Sequence, residues 1–187
     1  MINMKSVTLF LLILLSTSFL ISCETESDMN EDTVVEHRKS PIVISSVLHE
    51  DTYIKVVYGQ PYKRGRDIFG GLEPYGEVWR TGANEATEIT ITQAIRMEGQ
   101  SVEPGTYALF TIPGEDEWTI ILNEQLGQWG AFDYNEEYDY IRFNVPAQET
   151  DRVIEALTIT FDETEENRTI LSIAWDDTRV EIPIDFL

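Results

Sequence analysis

The chain has 187 residues and is strongly acidic, with 34 aspartates and glutamates against 13 lysines and arginines and a net charge of −21 at pH 7. A surface of this sign is repelled by DNA, RNA and anionic lipid, so the composition argues against a nucleic-acid-binding protein. Cys23 is the only cysteine, which excludes an intramolecular disulfide.

The N-terminus has the pattern of a bacterial lipoprotein signal peptide. Lys5 precedes a mostly apolar run at 7–21, which leads into the tetrapeptide Leu-Ile-Ser-Cys ending at Cys23. The run is shorter than the about 20 residues that a membrane-spanning helix needs, and its charged start and small-residue exit are typical of a secretory signal. We therefore predict a signal peptide at 1–22 and lipidation of Cys23, which would anchor the chain through its acyl groups. Ordinary cleavage nearby, giving a free secreted protein, is the alternative.

An acidic stretch follows this cysteine. Residues 24–39 contain six acidic side chains and few apolar ones. Such a segment buries too little surface to fold and its like charges keep it extended, so we predict an acidic tether over 23–40. The remaining 41–187 have the length of one domain. We expect this domain in the cell envelope, anchored to the outer membrane, with periplasmic and surface-facing orientations both open.

The residues of this domain alternate between apolar and polar, as half-buried strands do. Short runs recur with turn residues between them, and the best helix candidate is only Thr150–Ala156. This pattern predicts an all-β fold, a single antiparallel β-sandwich of jelly-roll or immunoglobulin-like outline with about ten short strands. The predicted strands are 42–48, 53–58, 89–92, 94–97, 106–112, 117–122, 138–145, 157–161, 170–175 and 180–184.

Few side chains of the usual catalytic or metal-binding kinds are present. His37 lies in the predicted tether and His49 at a predicted strand end, so the two imidazoles suggest neither a catalytic triad nor a zinc site. The sequence has no Asp-x-Asp-x-Asp-Gly run for calcium, and no phosphate-binding pattern follows the glycine pair at 70–71. We therefore predict no metal and no cofactor.

Paired carboxylates are the remaining catalytic option. Glu77, Glu85 and Glu88 lie in or beside a glycine-rich stretch at 70–87. Two carboxyl groups about 5 to 9 Å apart would suffice for a glycosidase-like hydrolase. In so acidic a chain a chance pair is expected, so a hydrolase is the alternative interpretation.

The stretch 70–87 combines four glycines and a proline with aromatic and hydrogen-bonding side chains, and this composition predicts a shaped loop. Arg80 would either clamp a carboxylate or sulfate in two-pronged fashion or pair with a neighbouring glutamate and fix the loop. Asn84 would either adopt a turn conformation or contact a ligand. The same stretch holds Tyr75, Trp79 and Glu85.

Further aromatic and basic residues lie outside this loop. Trp118 and Trp175 fall in alternating runs, where packing in the core is the expected role. Trp129 lies between glycines in a polar connection, so it either plugs the end of the sandwich or lines a pocket. Arg64 belongs to a group of three cations at 63–66 that would attract an anionic ligand or neutralise nearby carboxylates.

Four segments carry a resemblance to a known family: RGRDIFGGLEPYGEVWRTGANEAT at 64–87, PGTYALFTIP at 104–113, EWTIILN at 117–123 and QWG at 128–130. They resemble family 2911 of the domains of unknown function, which is common in Bacteroidota envelope proteins. The similarity covers about 41–184 and implies a secreted or lipid-anchored single β domain without an established activity. By analogy, it implies a ligand-binding end formed by Arg64, Tyr75, Trp79, Arg80, Asn84, Glu85 and Trp129.

The sequence thus predicts a lipid-anchored envelope protein that acts as a non-catalytic ligand- or partner-binding module through the loop at 70–87. A carboxylate-dependent hydrolase at the same loop is the alternative, and a structural role in an envelope assembly would instead require an exposed apolar patch. The expected partner is a small ligand, a glycan, a peptide or another envelope protein, with membrane contact only through the lipid anchor.

Overall fold

The structure, a computed structural model, describes residues 38–165 and 167–187, with the side chains of 163–165 outside the description. The predicted signal peptide, Cys23, His37 and most of the predicted tether lie outside the described residues. No helix in this part of the chain is long and apolar enough to cross a membrane.

The described chain is an all-β domain of nine strands with a single 3₁₀ turn at Glu136–Tyr138. Neighbouring strands pair antiparallel throughout, in the order β1-β2-β3-β6-β7-β8-β9-β4-β5. The strands are β1 Ile42–His49, β2 Thr52–Gly59, β3 Thr87–Ile91, β4 Ile95–Met97, β5 Gln100–Val102, β6 Gly105–Ile112, β7 Glu117–Asn123, β8 Asp139–Glu165 and β9 Arg168–Phe186.

The long strand β8 carries the sheet from one layer of the sandwich to the other. Residues 139–146 of β8 pair with β7, whereas its later residues pair with β9. Apolar side chains from both halves of the strand order, such as Ile54 and Ile89 on one side and Ile173 and Ile182 on the other, meet in one buried cluster. The predicted all-β sandwich is confirmed.

Strand β6 is buried on both of its faces. Tyr107 and Leu109 point into the main core, whereas Ala108 and Phe110 belong to a second, smaller cluster. The connection between β7 and β8 supplies Ala131 and Tyr134 to this second cluster. That connection therefore lies over the outer face of the sheet, and it also carries Trp129.

The best helix candidate, Thr150–Ala156, is not helical, because these residues belong to β8. The pairing of β8 with β9 shifts register on either side of Ile154. Such bulges break the strict two-residue period of side chains, so the segment no longer shows a strand pattern. The predicted strands at 138–145 and 157–161 are therefore parts of one strand, and β9 likewise unites the two at 170–175 and 180–184.

Candidate functional site

Trp79 lies in the core of the domain. Its backbone pairs with Thr111 at the end of β6, with N···O distances of 2.7 and 2.9 Å, and this pairing points the indole inward. The ring stacks on Trp175 at a centroid distance of 6.0 Å and meets Trp118 edge-on at 6.0 Å. Trp118 and Trp175 are buried as predicted. With 2% of its surface exposed, Trp79 offers no surface to a ligand in this conformation.

After Trp79 the chain turns tightly against the end of β2. Ala83 N donates to Gly59 O at 3.0 Å. A Cβ at Gly59 would lie 2.0 Å from Ala83 O, so only glycine permits this approach. Thr81 and Asn84 both have positive φ, at 53° and 69°. These reversals bring the following residue, Glu85, to the outer surface.

The end of the loop pairs with the connection that covers β6. Ala86 N donates to Gln128 O at 2.9 Å, and Gly130 N donates to Asn84 O at 2.8 Å. Glu85 therefore lies directly opposite Trp129. Residues that face each other across such a pair share one side of the ribbon. The structure thus brings Asn84, Glu85 and Trp129 together, and Trp129 is 60% exposed.

The Glu85 carboxylate is held by an arginine from the segment before β1. Arg38 donates through Nη1 to Oε1 at 2.7 Å and through Nη2 to Oε2. This two-pronged hydrogen bond holds the pKa of Glu85 below its usual range, although partial burial acts in the opposite direction. Arg38 belongs to the predicted tether, so the tether's last residues contact the domain.

An open cleft of about 230 Å³ lies beside this ion pair, on the outer surface where β1, β2 and β3 meet the connection after β7. Glu88 Oε1 accepts a hydrogen bond from Gly127 N at 3.1 Å. The cleft is lined by Ile42, Val57, Tyr58, Gly59, Glu85, Ala86, Glu88, Gly127 and Gln128.

Gln128, one of the residues that line the cleft, has a buried amide oxygen. Its residue is only 7% exposed, and its Nε2 donates to Gln125 O at 2.8 Å, which fixes the orientation of the amide. Within the part of the chain that the structure describes, Gln128 Oε1 has no hydrogen-bond partner. A buried acceptor without a donor is destabilising, and this oxygen is closed to solvent, so it is not a contact that the cleft offers to a ligand.

Of the predicted ligand-binding residues, all of which the structure describes, only Glu85 lines this cleft. The Tyr75 ring packs over Gly70, and its pKa is raised by burial and by the negative charges of Glu115 and Asp177. Arg64 donates from its backbone N to Glu155 Oε1 at 2.8 Å, and its guanidinium lies 5.8 Å from the ring centroid of Tyr62. Neither Tyr75 nor Arg64 is among the residues that line the cleft.

Arg80 lies near a glutamate that the sequence did not single out. Burial raises the pKa of Glu73 to about 7, while the charges of Arg80 and Arg66 partly oppose that increase. Arg80 Nε is itself buried and has no hydrogen-bond partner among the described residues. No ion pair joins Arg80 to Glu77, Glu85 or Glu88, all of which the structure describes.

Glu73 carried no signal that would distinguish it from the many other glutamates of the chain. Its burial depends on how 67–73 folds back on itself, with Glu73 N donating to Ile68 O at 2.9 Å and Leu72 N to Asp67 O at 3.0 Å.

No group of three or more His, Cys, Asp or Glu side chains within 38–165 and 167–187 is arranged to hold a metal ion.

Comparison with known proteins identifies the family. A family model described as "Protein of unknown function (DUF2911)" matches residues 40–184. No curated protein and no solved structure matched the chain. The match covers most of the sequence and almost the whole of the described domain. The chain therefore belongs to the DUF2911 family of proteins of unknown function.

Proposed function

We propose that this chain is a lipid-anchored, non-catalytic binding module of the cell envelope and that its ligand site is the cleft beside Glu85. The observation that carries the proposal is an open cleft with apolar walls, lined in part by Glu85, whose carboxylate is held in place by Arg38. Ligand sites combine apolar lining with a few fixed polar groups in this way.

The state of the carboxylates in the cleft favours binding over catalysis. Glu85 is held in its ionised form by Arg38, and Glu88 accepts the backbone N–H of Gly127. A general acid needs a carboxyl group with a raised pKa, and the Glu85 pKa moves in the opposite direction. These groups suit the positioning of a ligand rather than the transfer of a proton to it.

The anchor is supported by the sequence pattern that ends at Cys23. A Cys23→Ser variant should lose acylation and pass from the membrane fraction to the soluble fraction, since the acyl chains supply the membrane affinity. Metabolic labelling with a fatty acid, followed by fractionation, measures both effects. Retention of the label and of membrane association by this variant would contradict a lipid anchor at Cys23.

The binding site is tested by a thermal-shift screen of the full chain in mild detergent against peptides, glycans and small charged molecules. Val57 lines the cleft and Tyr53 lies on the same outward face of β2 but outside it. We expect ligands that stabilise the wild-type chain to lose their effect in Val57→Trp, which fills the cleft, and to keep it in the control Tyr53→Trp. Equal stabilisation of both variants, or a screen without any stabilising compound, would contradict the proposal.

A carboxylate-dependent hydrolase is the second candidate, and Glu73 is the observation that favours it. A carboxyl group with a pKa of about 7, in the loop at 70–87, is suited to act as a general acid or base near neutral pH. Hydrolysis of chromogenic glycosides by the wild-type chain and its loss in Glu73→Gln would support this candidate. Absence of turnover by the wild-type chain, or equal turnover by the variant, would remove it.

A further inference from the structure

We propose that the group recognised in this cleft is a guanidinium or ammonium group on an alkyl stem, as carried by a basic side chain of a peptide, and that Arg38 occupies its position at Glu85 until the ligand displaces it. This inference rests on the proposed binding role of the cleft and adds the chemical class of its ligand.

The charged side chains that line the cleft are acceptors. They are Glu85 and Glu88, whose ionised carboxylates accept hydrogen bonds and donate none. Guanidinium and ammonium groups carry several N–H donors and no acceptor, so they complement this set. A carboxylate or phosphate would instead face two glutamates.

The cleft also has apolar residues next to these acceptors. Ile42, Val57 and Ala86 supply apolar surface next to Glu85 and Glu88. Lysine and arginine side chains bury their methylene stems along such surface while their charged ends reach polar groups. The net charge of −21 also attracts cationic ligands to the protein as a whole. Both features favour a basic side chain over a neutral polar ligand.

A guanidinium already binds one of the carboxylates that line the cleft. Arg38 binds both carboxylate oxygens of Glu85, in the two-pronged geometry expected for a bound arginine. Both side chains are partly accessible to water, at 35% and 46% of their surface. An exposed ion pair of this kind shifts an equilibrium by only about two- to fivefold, so a competing cation with added contacts in the cleft would displace it.

The experiment is calorimetric titration of the full chain in mild detergent with the peptide acetyl-Ile-Arg-Ile-amide and with the same peptide carrying uncharged citrulline in place of arginine. We expect the arginine peptide to bind at least about tenfold more tightly, since hydrogen bonds between charged groups are lost with citrulline. Glu85→Gln should remove this preference. Butylguanidine, which carries the guanidinium and stem without a peptide or a second charge, should bind more weakly than the arginine peptide.

The role of Arg38 is tested with a matched control. Arg38→Gln should bind the arginine peptide about two- to fivefold more tightly than the wild-type chain. Arg168→Gln removes the same charge from another exposed ion pair, between Arg168 and Asp185 on β9 at 2.6 Å, and should leave the affinity unchanged. Equal affinities in the two variants would overturn the role of Arg38.

The two proposals fail in different ways. Equal binding of the arginine and citrulline peptides, or no binding of either one, would overturn the inference about a cation. The cleft itself would stand if Val57→Trp still removed the stabilisation by compounds found in the thermal-shift screen. Butylguanidine binding as tightly as the arginine peptide would overturn the assignment to a peptide side chain.

Discussion

Trp79 and Trp129 both lie in glycine-containing connections that the sequence marked as parts of one site, yet they have opposite environments. Trp79 is 2% exposed and packs in the aromatic cluster of the core, whereas Trp129 is 60% exposed on the outer surface. The difference arises from the backbone partner of each residue. Trp79 pairs with Thr111 on a position that faces inward, and Trp129 pairs with Glu85 beside the cleft.

The comparison separates two parts of the same loop by role. The segment that ends at Trp79 closes one end of the sandwich core, and its charges, Glu73 and Arg80, are at least partly buried. The segment that ends at Ala86 forms a wall of the open cleft. The first segment therefore contributes to stability, and we propose that the second contributes to recognition.

The largest expected effect is on the inward side. Trp79→Ala should lower the free energy of unfolding by about 3 to 5 kcal/mol, because it removes a large buried ring and leaves a cavity between Trp118 and Trp175. Urea denaturation followed by circular dichroism measures this loss. A change below about 1 kcal/mol would contradict the structural role of Trp79, since losses that small are typical of exposed surface residues.

The next effect concerns pH and the inward glutamate. The pKa of Glu73 is raised to about 7 in the folded chain, so folding favours its protonated form. Its contribution to stability is thus fully present below the ordinary glutamate pKa and is lost as pH rises through about 7, and the total amounts to up to about 3 kcal/mol. Glu73→Gln, which mimics the protonated form, should abolish that loss and be more stable than wild type above pH 7.

The measurement is the urea midpoint of both chains between pH 4.5 and 8, with Glu77→Gln as a control that removes an exposed carboxyl from the same loop. The pKa of Glu85 moves the opposite way, so its contribution is present above the ordinary glutamate pKa and is lost only as pH falls through its lowered value. Parallel pH profiles for wild type and Glu73→Gln would contradict the burial of Glu73.

The smallest effect on stability is expected on the outward side. Trp129→Ala should change the free energy of unfolding by less than about 0.5 kcal/mol, because an exposed ring is truncated at a surface position. Urea denaturation beside Trp79→Ala makes the comparison direct. A loss as large as that of Trp79→Ala would show that Trp129 supports the fold.

The sequence predicted the fold where alternation is undisturbed. Successive residues of strands β1 and β2 alternate between a more buried and a more exposed face, and the predicted bounds differ by only one residue at each end that moved. The region around Ile154 failed because register shifts move successive side chains off the two-residue period. Those shifts depend on the partner strand, which the local sequence does not contain.

The site was predictable in part for a related reason. Glycines and polar side chains predicted a shaped loop at 70–87, and the glycines on either side of Trp129 singled out that residue. Which of these residues face each other depends on pairings between distant segments, such as Glu85 with Trp129. The unpaired oxygen of Gln128 and the contact of Arg38 with Glu85 arise from the same distant pairings, so neither was visible in the sequence.

Whether the cleft beside Glu85 binds the ligand is tested most directly by amide hydrogen exchange of the full chain with and without acetyl-Ile-Arg-Ile-amide. The account predicts slower exchange at Glu85–Ala86 and Gly127–Gln128, the residues that wall the cleft, and no change at 73–82. Slower exchange at 73–82 with an unchanged cleft would contradict it and would move recognition to the inward part of the loop.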